Sequence, residues 1–462
     1  MRHLGWLNRR ASATLCLMAI CAASVYGQEP DWPAPADPPS TLFGRPTPVE
    51  NLIGYALAHN PEIRAARYRA QSLGARVPQV KSLPDPTLMT TAFLEEIQTA
   101  AGPQQAALSL SQKLPWFGKR AVRSRVAYHD SMAAYSRAMS TELKVVEQVK
   151  RIYFDLYFFQ SAIEENRQLE RPLEDVITVA KTRWEATARK TGLQSVFQAQ
   201  IELAKLKTDL VKLEESKRQS QARLAGVMHL PPQTRIEAID TIDRSRVANE
   251  VETLLGLAES CQPEYEAYRH EITRDRSGVA LARKAYWPDV AMSVNWYEMG
   301  QGGLSPVSNG RDAFSVGVGV NVPIYRQRLD AAVREAENKL YATVRRYDTV
   351  RDVFQTEIQT LAAQFREHHR TLEILEQEIL PRAEETLKLT MEAYRAGRAE
   401  FQQLMDVYRT LLRFRIDLHQ RVALSEQALA SLERAVGCAV ASQDGSPAGR
   451  SAEPIPPPVP GH

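Results

Sequence analysis

The chain has 462 residues, 44% hydrophobic and 24% charged, a mix that buries a core and excludes a wholly disordered protein. With 58 basic and 55 acidic residues the net charge is +3, and no block of like charge marks a nucleic-acid partner or a cation buffer. Beyond the N-terminus no stretch approaches ~18 uninterrupted apolar residues, so any membrane crossing there falls to strands.

Arg2, Arg9 and Arg10 form a basic region before the apolar run Ala11 to Ala23, and Val25-Tyr26-Gly27 is a small-residue cleavage site before Gln28. This predicts an export signal over 1–27. A lipid anchor at Cys21 is the alternative, disfavoured by Ile20 where a small residue is expected. Removing the signal leaves Cys261 and Cys438, 177 positions apart, too few for a disulfide framework, so the chain is expected to fold on packing alone. Residues 28–48 hold seven prolines and read as an extended arm; 439–462 end in a Pro-rich run and read as a disordered tail.

The body between them is one unit written twice, 49–245 and 246–438. Val49-Glu50-Asn51-Leu52-Ile53-Gly54 recurs as Val251-Glu252-Thr253-Leu254-Leu255-Gly256, a spacing of 202, and Pro61-Glu62 recurs as Pro263-Glu264 at the same spacing. Pro84, Pro115, Pro172 and Trp184 then find counterparts in Pro288, Pro323, Pro381 and Tyr394, with the spacing drifting up to 210. Small drifts between ordered landmarks are what loop-length differences between two copies produce, and the period is far too long for a solenoid.

Each copy reads as helix, strand, loop, strand, very long helix, turn, long helix. In Ala313 to Val322 the residues Phe314, Val316, Val318, Val320 and Val322 share one face, while Ser315, Gly317, Gly319 and Asn321 share the other. Leu108 and Leu110 alternate with Ser109 and Ser111, and Val290, Met292, Val294 and Trp296 with Ala291, Ser293, Asn295 and Tyr297. Thr87 to Leu94 alternates poorly. Such segments suit a transmembrane β-barrel, in which Phe314, Val316, Val318 and Val320 would face lipid. A soluble antiparallel sheet alternates identically and stays open as the alternative.

From Lys119 to Trp184 the only internal proline is Pro172, so one helix could run ~100 Å at about 1.5 Å per residue. Its seam is Val145, Val149, Ile152, Leu156, Phe159 and Ile163. The second copy repeats the steps at Ile358, Leu361, Phe365, His368, Leu372, Leu375 and Ile379, and the returning helices at Leu203, Leu206, Leu210 and at Leu404, Val407, Leu411. Alternating steps of four and three are the ~3.5-residue period of supercoiled helices. Four strands cannot close a barrel, which needs about eight, so several chains must contribute if the strands enter lipid.

At this point the residues resemble the outer-membrane efflux protein family, the TolC-like channels, with a leaning toward the cation-efflux branch. The resemblance rests on Asn60 to Ala66 (NPEIRAA), Leu83 to Pro86 (LPDP), Ser111 to Arg120 (SQKLPWFGKR), and Ala393 to Gly397 (AYRAG) followed by Phe401, Leu404 and Asp406. It implies a mainly helical, internally duplicated chain with four strands per protomer. A homotrimer would then carry a 12-strand barrel in the outer membrane, continued by a long helical barrel in the periplasm. It further implies docking onto a periplasmic adaptor and, indirectly, an inner-membrane pump. By position in the family the periplasmic gate would be Tyr394, Arg398, Gln403 and Asp406. Gln403 stands where a second acid is usual, which halves the expected ring charge. The adaptor-contacting tips would be Thr191, Gly192 and Leu193 in the first copy and Ala396 and Gly397 in the second.

No HExxH, GxSxG or GxxxxGK[ST] occurs, so no enzyme and no cofactor is expected. His368 and His369 diverge by about 100° on a helix and cannot chelate one metal. The alternative function is a secreted or periplasmic coiled-coil spacer or adaptor, which accounts for the helices but not for the two-faced strands.

Overall fold

The computed structural model describes residues 45–187, 190–242 and 250–440. The expected signal, most of the Pro-rich arm and nearly all of the tail lie outside the described residues.

The first copy opens with α1 (Val49–His59) and α2 (Pro61–Lys81), continues through β1 (Thr87–Thr99) and β2 (Gly102–Leu114), and closes with α3 (Lys119–Thr187) and α4 (Lys190–Val227). The second opens with α5 (Val251–Cys261) and α6 (Pro263–Lys284), then β3 (Val290–Met299) and β4 (Ala313–Val320). It closes with α7 (Arg326–Ile374), a π-helical turn (Leu375–Ile379), α8 (Leu380–Arg395) and α9 (Phe401–Val436).

The single helix expected at the head of each copy is two helices, broken at a proline. In the first copy Asn60 Oδ1 accepts from Glu62 N at 2.8 Å and Ile63 N at 3.1 Å, capping α2, while Pro61 fills the first helical position where no N–H is needed. The same side chain donates from Nδ2 to Val227 O at 2.7 Å, fastening the corner to the end of α4. Gln262 repeats the device: its Oε1 accepts from Glu264 N, and its Nε2 donates to Arg434 O at 3.0 Å and Ala435 O at 2.7 Å, at the end of α9.

The long helix of the first copy runs unbroken for 69 residues through Pro172. In the second copy the ladder is interrupted by the five-residue π turn just before Pro381. A proline lacks the N–H and its ring crowds the carbonyl four residues back, and a wider turn relieves both. Seam residues Val145, Val149, Leu156, Ile358 and Leu404 are fully buried. They belong to three clusters: one around Leu52, Val149, Tyr153 and Leu224, one around Leu254, Tyr265, Ile358 and Leu432, and one at the hairpin ends around Leu173, Tyr394 and Leu404. Tyr153 joins the first cluster to the arm: its hydroxyl donates to Thr47 O at 3.0 Å and accepts from Ile239 N at 3.1 Å.

The four strands form one antiparallel sheet in the order β1-β2-β3-β4. β1 runs to Thr99, beyond the expected Leu94, with a register shift between Ala92 and Ile97. β4 ends at Val320, two residues short of the expectation. Neighbouring helices follow the strand order: α2 packs on α3, α3 on α6, and α6 on α7. Each strand thus continues into or out of one helix of a four-helix layer. Toward the hairpin ends, α4 packs on α3, α3 on α9, and α9 on α7 and α8.

Candidate functional site

Register decides the chemistry of the sheet. Leu88 faces Leu110, Leu110 faces Val294, Val294 faces Val316, and likewise Leu108, Trp296 and Phe314 form a row, with Met292 opposite Val318 and Val290 opposite Val320. Directly opposed residues share a face, so the rows assemble one apolar surface across all four strands. It has no cover in the protomer: Leu88 is 60% exposed, Leu110 49%, Val294 50%, Phe314 76%, Val316 72% and Val318 65%.

The opposite face carries Ser109, Ser111, Ser293, Asn295, Ser315, Gly317 and Gly319. Ser109 Oγ donates to Asn295 Oδ1 at 2.6 Å, and Asn295 Nδ2 donates to Ser315 Oγ at 3.2 Å, a polar ladder across three strands. A Cβ on Gly317 would stand 2.6 Å from Ser293 Oγ, so a larger residue there would turn the serine hydroxyl aside. A contiguous apolar face of this extent, backed by a polar one, marks a surface that meets something other than water.

Where strands meet helices, Lys119 is buried at the first turn of α3 and its Nζ reaches Asp289 Oδ1 at 2.7 Å and Trp287 O at 2.8 Å. Trp116 N donates to the same carboxylate at 2.8 Å. Burial pushes the Asp289 carboxyl up, but Lys119 and the Trp116 amide outweigh it and hold the group below its ordinary range. The rings of Trp116 and Trp287 stack at 5.4 Å. The two copies are thereby riveted to each other where β2 leaves the sheet and β3 enters it. Exposed Phe117, Trp287, Ile324 and Tyr325 collect at the same level.

At the far end α8 stops on Gly397, whose φ of 79° places it in the left-handed region. Gly397 N donates to Tyr394 O at 3.0 Å and Arg398 N to Ala393 O at 2.8 Å, closing the turn before α9. Among the expected gate residues, Gln403, Asp406 and Arg398 are exposed, whereas Tyr394 is 3% exposed and packs edge-on against Phe401 in the tip cluster. Tyr394 therefore holds the turn in shape rather than lining a surface of the protomer. Ala396 and Gly397 are exposed at the turn, and Leu193 is half-buried on α4. Thr191 and Gly192 lie in the first turn of α4, with their side chains outside those described.

Arg409 was not singled out by sequence reasoning. It pairs with Asp406 at 2.9 Å and with Glu202 on α4 at 2.7 Å. The Asp406–Arg409 spacing of three was a visible signal on a helix; the link to Glu202, 207 positions away, had none. Hydrogen bonding from Arg409 holds the Glu202 carboxyl below its ordinary range against the opposing effect of burial, with Lys205 adding to it. The trio ties the two returning helices together, and Asp406 stays the exposed carboxylate beside Gln403. Among the described residues no group of three or more His, Cys, Asp or Glu side chains is placed to hold a metal ion.

Two stretches, 52–228 and 254–438, match the family described as "Outer membrane efflux protein". The cobalt-zinc-cadmium resistance protein CzcC of Cupriavidus metallidurans is 22% identical over 406 residues, covering 85% of this chain and 90% of CzcC. The solved structure of the outer-membrane channel OprN superposes with a TM-score of 0.71 at 16% identity, covering 84% of this chain and 89% of that one. The outer membrane protein VceC from Vibrio cholerae gives 0.69 at 19% identity, over 85% of this chain and 96% of VceC. The fold is that of the TolC-like channels.

Proposed function

The chain belongs to the outer membrane efflux protein family, the outer-membrane channel components of tripartite efflux systems, and on that premise we propose how its two surfaces make the conduit. The carrying observation is the two-faced sheet with its outer edges, β1 and β4, unpaired within the protomer. In hydrocarbon each unsatisfied edge group costs several kcal/mol, so the sheet enters a bilayer only when β4 of one copy pairs with β1 of the next. Three copies give twelve strands, above the roughly eight that the smallest barrel needs. The apolar face of Phe314, Val316, Val318 and Val320 then meets lipid, and the Ser/Asn/Gly face lines the water-filled lumen.

The exposed aromatic residues at the strand–helix junction fit the periplasmic headgroup level, where amphipathic rings collect. Below it, the helical layer repeats threefold into a periplasmic tube whose tips are the turns at Gly397 and at the start of α4. Closing the tube brings three copies of Asp406, with Gln403 beside each, around one aperture. Arg409 neutralises part of that ring, so the channel favours cations mildly and cargo is chosen by the inner-membrane pump. A periplasmic adaptor engages Ala396, Gly397, Thr191, Gly192 and Leu193, and loosening of the Glu202–Arg409–Asp406 tie accompanies opening. The coiled-coil spacer reading leaves the uncovered apolar sheet face without a purpose.

The test is light scattering on protein extracted in detergent from the outer membrane, paired with conductance in a planar bilayer. A protein mass of three chains and discrete conductance steps are expected. A monomer that gives no steps overturns the conduit.

A further inference from the structure

Cys261 and Cys438 stand far apart in sequence and side by side in the fold, both as free cysteines. Cys261 is the last residue of α5, and Cys438 follows Gly437, which ends α9 with a φ of 94°. That turn presses on the α5–α6 corner so closely that a Cβ on Gly437 would lie 2.7 Å from Cys261 O and 2.7 Å from Gln262 Cα. Gln262 secures the approach from its own side through its bonds to Arg434 O and Ala435 O. Cys438 packs against the cluster containing Leu254, Ala258 and Leu432, and its thiol meets that of Cys261 within hydrogen-bond reach. Both cysteines are part-buried rather than enclosed, which leaves them open to a reagent arriving from solvent. The 22 residues of α6 hold the pair ~33 Å from β3, clear of the bilayer.

We propose that Cys261 and Cys438 form an intramolecular disulfide in the exported protein, made by exchange with a periplasmic disulfide-bearing oxidoreductase. The compartment favours such bonds. The thiolate of Cys261 attacks one sulfur of the donor's disulfide and releases the donor's other sulfur as a thiolate. Cys438, deprotonated in turn, attacks the Cys261 sulfur of the mixed disulfide and expels the donor's remaining sulfur. The two cysteines lose two electrons and two protons, and the donor leaves as its dithiol. Burial, reinforced by the contact with Cys261, pushes the Cys438 thiol up to about 12, which leaves the first attack to Cys261; once Cys261 is bonded to the donor, that contact no longer holds the Cys438 proton.

The bond closes a loop holding α6, β3, β4, α7, α8 and α9, and it pins the end of the last helix to the corner that starts the second copy. The first copy has no counterpart: His59 stands where Cys261 does, and its corner is fastened to the end of α4 by Asn60.

The test traps the full chain as it exists in cells. Cells are quenched in acid, and the protein is recovered from the outer-membrane fraction, unfolded, alkylated with N-ethylmaleimide and digested without reduction. The proposal rests on the outer-membrane placement; a misplaced chain shows itself at fractionation, before any thiol is scored. A peptide pair joined through Cys261 and Cys438 is expected, with both sulfurs unreactive to maleimide until reduced. In Cys261→Ser, Cys438 becomes fully labelled without reduction. Full labelling of both wild-type cysteines, bonds between two chains, or a Cys438 that stays blocked in Cys261→Ser would each overturn the assignment.

Discussion

Val316→Arg tests the surface on which the conduit depends. Val316 sits mid-strand in β4, is 72% exposed, and opposes Val294 on the apolar face. On a soluble sheet a residue this open accepts a charge within about 0.5 kcal/mol. At the midplane of a lipid-facing barrel wall the same arginine costs about 2–4 kcal/mol, and a trimer carries it three times, so assembly loses roughly 6–12 kcal/mol. The matched control is Ser315→Arg, one residue away on the polar face, where the side chain has water to extend into. The assay is the amount of heat-labile oligomer in outer-membrane extracts on semi-native gels, with total chain measured on denaturing gels. Val316→Arg should leave chain but little oligomer, while Ser315→Arg assembles and alters conductance. Normal assembly of Val316→Arg refutes the lipid assignment, and failure of Ser315→Arg alone would mean that the faces are inverted.

Asn60→Ala removes a helix cap worth about 0.5–2 kcal/mol and strands the Val227 carbonyl at roughly 1 kcal/mol more. Denaturant unfolding should register a loss of ~1.5–3 kcal/mol; a change under about 0.5 kcal/mol would show that the corner bears no load. Asp406→Asn should shift the bilayer reversal potential away from cations and Gln403→Glu toward them, and unchanged potentials in both would remove these residues from the aperture. His129 and His270 approach at 3.3 Å between α3 and α6. Both are held below 6.5, chiefly by burial; for His129 the neighbouring His270 and Arg125 add to it, and for His270 Glu266 opposes it. The unfolded chain therefore binds protons that the folded one resists. Their contribution is present above pH 6.5 and is lost as pH falls through the lowered folded values. The thermal midpoint should drop between about pH 7.5 and about pH 5.5, and the His129→Gln/His270→Gln double variant should drop less; equal drops would exclude the pair as the cause.

What the sequence discloses is whatever repeats at short range. Strand faces follow from period two, and Phe314 to Val320 lie as that period requires. The seams from Val145 to Ile163 and from Ile358 to Leu375 follow from steps of three and four. The tip turn is written in Gly397, and the helix breaks at Asn60-Pro61 and Gln262-Pro263 were legible as cap-plus-proline pairs, though only a single helix was expected there. The π turn before Pro381 was not legible, because Pro172 at the matching site sits inside an unbroken helix. Contacts made by topology left no local trace: Lys119 with Asp289, Arg409 with Glu202, and Cys261 with Cys438. Each joins residues more than 150 positions apart, the first two across the copies and the third across the two ends of the second copy, brought together only once the chain has folded.

The strand order carries a rule of parity. Each copy contributes one strand going up and one coming down, so the helices that open and close a copy lie on the same side of the sheet. Joining copies end to end, or setting chains beside one another, always places an upward strand next to a downward one. A unit with an odd number of strands would force a parallel seam and carry the chain across the bilayer at every joint. Such a module can be duplicated or multimerised without its topology being renegotiated, and the link between copies stays on the side where the helices are. A ring assembled from it can differ in the number of copies per chain while its wall keeps one hydrogen-bonding pattern throughout.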